Sequence, residues 1–272
     1  MHADLLIHNI GQLVTPTGGP RRGPAMRELT VITDAAVAAA DGCIVAVGAS
    51  RELTERFTAA QTLDGRGRAV IPGFVDPHTH LPWAGHRAAE FEMRIGGATY
   101  MEIMAAGGGI VRTVADTRAA SLAQLVAETR DRLDRMLAHG TTTAEAKTGY
   151  GLNVPDELKQ LDALAELQRT HPVDLVPTFL GAHAIPAEYR ERPHAYVALV
   201  VDEMLPAARA RWQTLRAAWP DESAAWPIFC DVFCENGAFD LAQSRRILAA
   251  AQRLGFGLKI HVDEFAPLGG AL

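Results

Sequence analysis

Residues 69–87 read AVIPGFVDPHTHLPWAGHR, and this stretch decides the fold predicted for most of the chain. Residues 70–75 form a short apolar run with β-branched side chains, which predicts a strand buried on both faces. His78 and His80 follow at its end, and alternate residues of an extended chain point to the same side. Two imidazoles that converge at a strand end form half of a divalent metal site. The ordinary alternative is a pair of polar residues in a surface turn.

Strand-like and helix-like segments alternate beyond this stretch. Helical periodicity covers residues 121–138, 156–170, 194–218 and 240–254, with apolar strand patterns between them. A repeated β-then-α order predicts a parallel sheet with helices outside it. Because polar residues cluster just past the strands, we predict an α/β fold, a TIM-like (β/α)8 barrel with its active site at the C-terminal strand ends. About five of the eight β/α units fit within this chain, so we expect it to be the N-terminal part of a longer enzyme.

The first part of the chain has a different pattern. Residues 1–68 alternate apolar and polar side chains and are interrupted by glycine and proline, which predicts a small N-terminal β-sandwich-like module. The expected domains are therefore this β-module, residues 1–68, and an incomplete (β/α) barrel, residues 69–272. Within the barrel, residues 220–227 (PDESAAWP) are predicted to form a surface loop.

Composition excludes several classes of protein. The sequence is 48% hydrophobic and 21% charged with a net charge of -6, and no basic run is present that would follow a nucleic-acid backbone. No apolar stretch reaches the roughly 20 residues of a membrane span, and the N-terminus lacks signal-peptide features. Three cysteines are too few for a disulfide framework. We therefore expect a globular protein of the reducing cytoplasm, with Cys230 and Cys234 as buried small hydrophobes.

The segment KIHVDEF carries the next candidates. His261 ends the fifth predicted strand, where the barrel places it near His78 and His80 as a third metal ligand. A packed or surface histidine is the alternative. Glu264 is a carboxylate beside that position, suited to moving protons or accepting a hydrogen bond from substrate. Its alternative is a solvated loop acid.

Four further side chains lie at predicted strand ends or in the loops that follow them. His183 ends the third strand, and its position favours substrate contact over a turn histidine. Tyr150 offers a hydroxyl to a substrate, or else packs on the barrel rim. Arg87 is suited to gripping a carboxylate bidentately, with a surface charge as the alternative. For Lys147, an ion pair with Glu145 is favoured over a carboxylated lysine that bridges metals.

Six motifs in this order resemble the imidazolonepropionase family of the amidohydrolase superfamily: PGFVDPHTHLPWAGHR, AGGGI, EAKTGYGL, TFLGAHAIP, DVFCENGAF and IHVDEF. The segment PGFVDPHTH is common to much of the superfamily, whereas AGHRAAEFEMR, KTGYGL and FLGAHAIP are more specific. The resemblance extends from about residue 3 to the last residue. It implies an amidohydrolase barrel that hydrolyses the ring C–N bond of 4-imidazolone-5-propanoate to N-formimidoyl-L-glutamate in histidine degradation.

The resemblance also implies a ligand set. The positions that match His78, His80 and His261 bind one divalent metal ion, Zn or Fe. Members of the family are homodimers, which implies self-association of the full-length form around a small-molecule substrate, without nucleic acid or membrane.

Substrate contacts follow from the same resemblance. The position that matches Arg87 binds the propionate carboxylate. The positions that match Tyr150, His183 and Glu264 contact the imidazolone ring or the attacking water, with His183 and Glu264 as the catalytic pair.

Two alternatives remain open. The first is another amidohydrolase or aminohydrolase that acts on a cyclic amide or an aminated ring. The second is a catalytically incomplete fragment that binds only metal or a partner, because the family takes an aspartate ligand and a further histidine from strands beyond the fifth.

Overall fold

The computed structural model describes residues 1–16, 19–99, 102, 108–218 and 227–271. These residues divide into two compact units, Met1–Gly73 and Phe74–Leu272. Most of the loop predicted over residues 220–227 lies outside the described residues.

The described residues of the first unit form a β-sheet with one α-helix and a short 3-10 helix, Gly23–Arg27. Its strands are β1 (His2–Thr15), β2 (Thr30–Ala40), β3 (Cys43–Ala49), β4 (Thr58–Asp64) and β5 (Ala69–Val70), and its helix is α1 (Ser50–Arg56). The strand order is β3-β2-β1-β4, with β5 also paired to β1; β1, β2 and β3 are antiparallel, and β4 and β5 run parallel to β1. The described residues of this unit form one sheet, so the sandwich-like arrangement stays a prediction.

Local sequence explains the tight connection in this sheet. Asp41 and Gly42 join β2 to β3 with φ values of 51° and 73°. Positive φ at both central residues is the geometry of the two-residue hairpin turn that Asp-Gly favours. Leu53 of α1 and Phe57 just after it pack on Leu6, which buries one face of the sheet.

The second unit contains a parallel sheet. Its strands are β6 (Phe74–Asp76), β7 (Thr141–Lys147), β8 (Asp174–Ala182), β9 (Phe229–Cys234), β10 (Gly257–Leu258) and β11 (His261–Val262). The strand order is β10-β9-β8-β7-β6, β11 also pairs with β9, and every pairing is parallel. The predicted α/β class with a parallel sheet is therefore confirmed.

Helices connect the strands of the second unit. They are α2 (Ala88–Ile95), α3 (Ile110–Ala119), α4 (Leu122–Ala138), α5 (Val154–Thr170), α6 (Pro193–Leu199), α7 (Leu205–Ala217) and α8 (Leu241–Arg253), with a short π-helix, Val200–Met204, between α6 and α7. A capping box begins α8, where Asp240 and Gln243 each accept a backbone N–H from the other. No helix in the described ranges is long and apolar enough to cross a membrane.

The apolar core of this unit lies between the middle strands and the helices. Phe179 of β8 packs with Tyr196, Trp212 and Ile247 of the surrounding helices. Cys230 and Cys234 are fully buried in β9, as predicted.

The strand predicted over residues 70–75 is wrong in two respects. Val70 pairs with β1 in the first unit, and the second unit starts its own strand at Phe74. Phe74 and Val75 are 55% and 66% exposed rather than buried on both faces. The physical reason is that β6 ends the order of the described strands and has β7 on one side only.

A candidate metal centre at the strand ends

The His-Thr-His segment is held in place by its neighbour β7. The backbone N–H of Lys147 donates to the Thr79 carbonyl over 2.9 Å, and the Thr79 hydroxyl donates to the Glu145 carbonyl. The chain therefore stays aligned with β7 after β6 has ended. Because Thr79 is fixed towards β7, the histidines on either side of it project from the end of the sheet.

Three histidines meet at this point. Candidate ligand atoms of His78, His80 and His261 all lie within 4.8 Å of one another, and the Nε2 atoms of His78 and His261 are 2.9 Å apart. Imidazole nitrogens bind Zn at about 2.0–2.1 Å in tetrahedral sites, which puts neighbouring nitrogens roughly 3.3 Å apart. The three side chains thus fit one divalent metal ion.

The protonation state of His80 also fits a ligand. Burial lowers the pKa of His80 to about 2, so the ring is neutral at physiological pH. Its Nδ1 is buried and has no hydrogen-bond partner among the described residues. A neutral imidazole with a free lone pair is the form that binds a metal ion.

Asp231 of β9 is a functional candidate that sequence reasoning missed. Its Oδ2 atom lies 2.8 Å from Nδ1 of His261, and its side chain is 1% exposed. Burial raises the pKa of Asp231, but the hydrogen bond and charge of His261, with the charge of Lys147, outweigh it and lower the pKa to about 2. The signal in the sequence was a single charged residue inside the apolar run IFCDVFC.

Lys147 lies beneath the histidines. Its ammonium is 2.8 Å from Glu145 Oε1 and 2.7 Å from Asp231 Oδ2, and its side chain is 2% exposed. The predicted pair with Glu145 is confirmed, and Asp231 is an additional partner. With its ammonium committed to two carboxylates, Lys147 is used as a counter-ion.

A cavity of about 250 Å³ opens over the three histidines. Six of its seven lining residues are ones that the sequence singled out, and Phe233 is the addition: the lining is His78, His80, Tyr150, His183, Phe233, His261 and Glu264. A larger cavity of about 980 Å³ lies between α4, α5 and α7, but its lining contains no histidine or tyrosine. The smaller cavity is lined by four histidines and a tyrosine, which makes it the candidate site.

His183 has a defined orientation in this cavity. Its Nδ1 atom lies 2.9 Å from the Gly149 carbonyl oxygen. Because a carbonyl oxygen only accepts, Nδ1 carries the proton and Nε2 is left as an acceptor in the neutral ring. Burial lowers the pKa of His183 to about 4, so this neutral form dominates near pH 7.

Tyr150 completes an aromatic wall with the histidines. Its ring centroid is 5.1 Å from that of His183 and 6.0 Å from that of His80. Burial raises the pKa of Tyr150, against a smaller lowering by the charge of Arg87. The hydroxyl is therefore a protonated hydrogen-bond donor at neutral pH.

Residues 149–152, here called the rim loop, are held by two side chains of α5. The Glu157 carboxylate accepts the backbone N–H groups of residues 149, 151 and 152 over 3.1, 2.8 and 2.9 Å. The Gln160 side-chain oxygen accepts those of residues 150 and 151 over 3.3 and 3.0 Å. Glu157 and Gln160 face the same side of α5 because they are three residues apart. Sequence reasoning identified neither of these two residues.

Arg87 is the one predicted residue that is absent from the cavity lining. It lies at the N-terminus of α2, and its Nε–H donates to the Thr113 hydroxyl over 2.9 Å. Its positive charge nevertheless reaches the cavity, since it lowers the pKa of both Tyr150 and His183 after the effect of burial.

Solved structures share this fold. An adenosine deaminase from Xanthomonas campestris with bound Zn superposes with a TM-score of 0.60 at 19% identity, over 97% of this chain and 50% of that chain. Guanine deaminase from E. coli superposes with a TM-score of 0.53 at 16% identity, over 92% of this chain and 60% of that chain. The chain therefore shares the fold of these two deaminases. No family model matches the chain.

Three curated proteins similar to this chain are imidazolonepropionases. The chain is 61% identical to that of Herpetosiphon aurantiacus over 269 residues, 56% identical to that of Chloroflexus aggregans and 48% identical to that of Alkaliphilus metalliredigens. These matches cover 98–100% of this chain and 61–62% of the relatives. The resemblance inferred from the motifs is thus confirmed, for a chain that spans about three fifths of the length of these relatives.

Proposed function

We propose that this chain carries the metal site and substrate contacts of an imidazolonepropionase, which hydrolyses 4-imidazolone-5-propanoate to N-formimidoyl-L-glutamate. The observation that carries the proposal is the single cavity lined by six of the seven candidate residues. The names of the relatives supply the substrate class. We also propose that the parallel sheet is part of a TIM-like (β/α)8 barrel, in a protein that acts on a small molecule as a homodimer.

His78, His80 and His261 are the proposed ligands of one divalent ion. Their three imidazoles suit Zn and Fe alike. When bound, such an ion acts as a Lewis acid that lowers the pKa of water towards about 7.

The other cavity residues orient the ring and move protons. His183 accepts a ring N–H through Nε2, because its Nδ1 proton is held by Gly149. Tyr150 donates its hydroxyl to a ring acceptor. Glu264 takes a proton from the attacking water, whose oxygen bonds to the ring carbonyl carbon, and returns it to the ring nitrogen as the C–N bond breaks. The reaction consumes one water molecule, whose oxygen becomes part of the new carboxylate.

Arg87 is the proposed contact for the propionate carboxylate. Thr113 holds its Nε–H, which presents the terminal amino groups of the guanidinium as a fork of donors. Holding the substrate tail restricts the ring to one position against the histidines, and such restriction lowers the activation barrier.

A second candidate is an aminohydrolase that removes an amino group from a heterocycle. The fold neighbours named adenosine deaminase and guanine deaminase favour it. Release of ammonia from aminated purines or pyrimidines would distinguish it from ring opening.

The test combines turnover and metal content in one sample. We expect the purified chain to bind about one metal ion and to open 4-imidazolone-5-propanoate, and we expect His78→Ala to lose both. His194→Ala, an exposed histidine at the start of α6, is the matched control. Metal binding without turnover would support the fragment that only binds metal, and unchanged metal content in His78→Ala would refute the site.

A further inference from the structure

A group of buried charges lies beneath the metal centre. Glu145 Oε1 is 2.8 Å from Lys147 Nζ and 2.7 Å from Lys259 Nζ, and it also accepts the Thr178 hydroxyl. Asp231 Oδ2 is 2.7 Å from Lys147 Nζ, and Asp231 Oδ1 accepts the backbone N–H of the next residue over 2.8 Å. We call Glu145, Lys147 and Asp231 the floor network.

The strands explain why these side chains meet. Glu145 and Lys147 are two residues apart in β7, so they point to the same face of the sheet. Thr178 of β8 and Asp231 of β9 reach the same pair, which places all four on one face across three adjacent strands. That face leads to the C-terminal strand ends, where the histidines lie.

Stability does not account for this arrangement. The side chains of Glu145, Lys147 and Asp231 are 3%, 2% and 1% exposed. Removing charges from water is costly, and well-packed apolar residues in place of a buried ion pair are often neutral or stabilising. One oxygen of Asp231, however, is shared between Lys147 and His261. Asp231 therefore contacts the ring of a proposed metal ligand, and this contact gives the buried charge a role besides folding.

We propose that Asp231 is a positioning residue for the metal centre and that Lys147 holds it in place. His261 Nδ1 lies 2.8 Å from Asp231 Oδ2, so this carboxylate favours the tautomer that carries its proton on Nδ1 and leaves Nε2 as the ring nitrogen that faces His78 and the metal position. A metal-bound histidine commonly donates its second ring N–H to such a partner, which fixes the tautomer and the ring orientation. This inference rests on the metal site of the proposed function.

Metal affinity tests the role of Asp231, with Glu145→Gln as the matched control. Each variant, D231N and E145Q, removes one buried carboxylate that pairs with Lys147, but only Asp231 contacts a metal ligand. We expect D231N to weaken Zn affinity by about 10–100-fold, measured by competition with a chelator. E145Q should keep the affinity of the unmodified chain. Thermal unfolding of both variants reports whether they fold.

A second measurement does not use metal. Long-range ¹H–¹⁵N correlation on the metal-free chain should show the proton of His261 on Nδ1, and Asp231→Leu should remove that preference. Equal Zn affinity in D231N and the unmodified chain would overturn the inference, as would an equal loss in E145Q. No Zn binding by the unmodified chain would overturn the metal site itself, and the inference with it.

Discussion

The floor network and the rim loop hold the same cavity by different physics. Beneath the cavity, Lys147 sits between two buried carboxylates, and this arrangement depends on charge. Beside it, Glu157 and Gln160 hold the rim loop through its backbone N–H groups, an arrangement that depends on acceptor geometry. The floor contacts a metal ligand, and the rim carries Tyr150. Loss of the Asp231 charge should therefore affect metal binding, and a change in the conformation of the rim loop should affect substrate binding.

The largest effect should come from Lys147→Met in the floor. The substitution leaves Glu145 and Asp231 buried without their shared counter-ion, and breaking a buried ion pair in this way costs about 3–5 kcal/mol. Urea unfolding measures the loss. Arg169→Met is the control, because Arg169 is 58% exposed and pairs with Glu166 at the surface, where at most about 1 kcal/mol is expected. Equal losses in the two variants would show that charge does not hold the floor.

The same contrast explains what the sequence could and could not predict. The convergence of His78 and His80 was predictable because residues two apart in an extended chain point to the same side. The role of Asp231 could not be predicted, because it depends on contacts with Lys147 and His261, which are distant in sequence. A local pattern contains no information on such pairings.

The prediction of a strand buried on both faces over residues 70–75 was wrong for a related reason. The run AVIPGFV has the composition of a strand buried on both faces, but exposure is decided by how many neighbouring strands flank it. Arg87 illustrates the limit at the site: its motif identified it, but only the structure shows it tied to Thr113 rather than lining the cavity. Glu157 and Gln160 have the pattern of ordinary helix residues, so their hydrogen bonds to the rim loop could not be predicted from the sequence.

The next effect should come from Gly149→Ala in the rim loop. Gly149 has φ +108°, and an added Cβ would lie 2.8 Å from the Leu180 carbonyl oxygen and 3.0 Å from Nδ1 of His183. We expect a loss of about 3 kcal/mol, at the upper end for a strained backbone position. Weaker binding of imidazole-4-propanoate should accompany it, with Zn affinity retained. Calorimetry measures both ligands.

Gly237→Ala isolates the clash in that experiment. Gly237 has φ +84°, but an added Cβ would meet nothing within 4 Å. Alanine at this position therefore introduces backbone strain without a contact with His183. If G149A lost Zn affinity as well, the separation between rim and floor would be incorrect.

Glu157→Gln should have a smaller, pH-dependent effect. Burial raises the pKa of Glu157 above its ordinary value of 4.5, so the folded chain binds this proton more tightly than the unfolded chain. The stability that Glu157 contributes is full below pH 4.5 and falls as the pH rises towards the raised pKa. We expect E157Q to cost about 2 kcal/mol at pH 4.5 and less at pH 8, measured by urea unfolding. A cost that grows with pH would contradict the sign.

Arg87→Lys should have the smallest effect and the most selective one. Lysine keeps the charge but lacks the fork of donors that grips a carboxylate, so the Kd for imidazole-4-propanoate should rise about tenfold, equivalent to about 1.4 kcal/mol. Zn affinity should not change, because Arg87 contacts Thr113 and not the histidines. Arg112→Lys, at an exposed pair with Asp116, is the control for the same substitution. An unchanged Kd in R87K would remove Arg87 from the substrate contacts and leave Tyr150 and His183 as the rim residues that select the ligand.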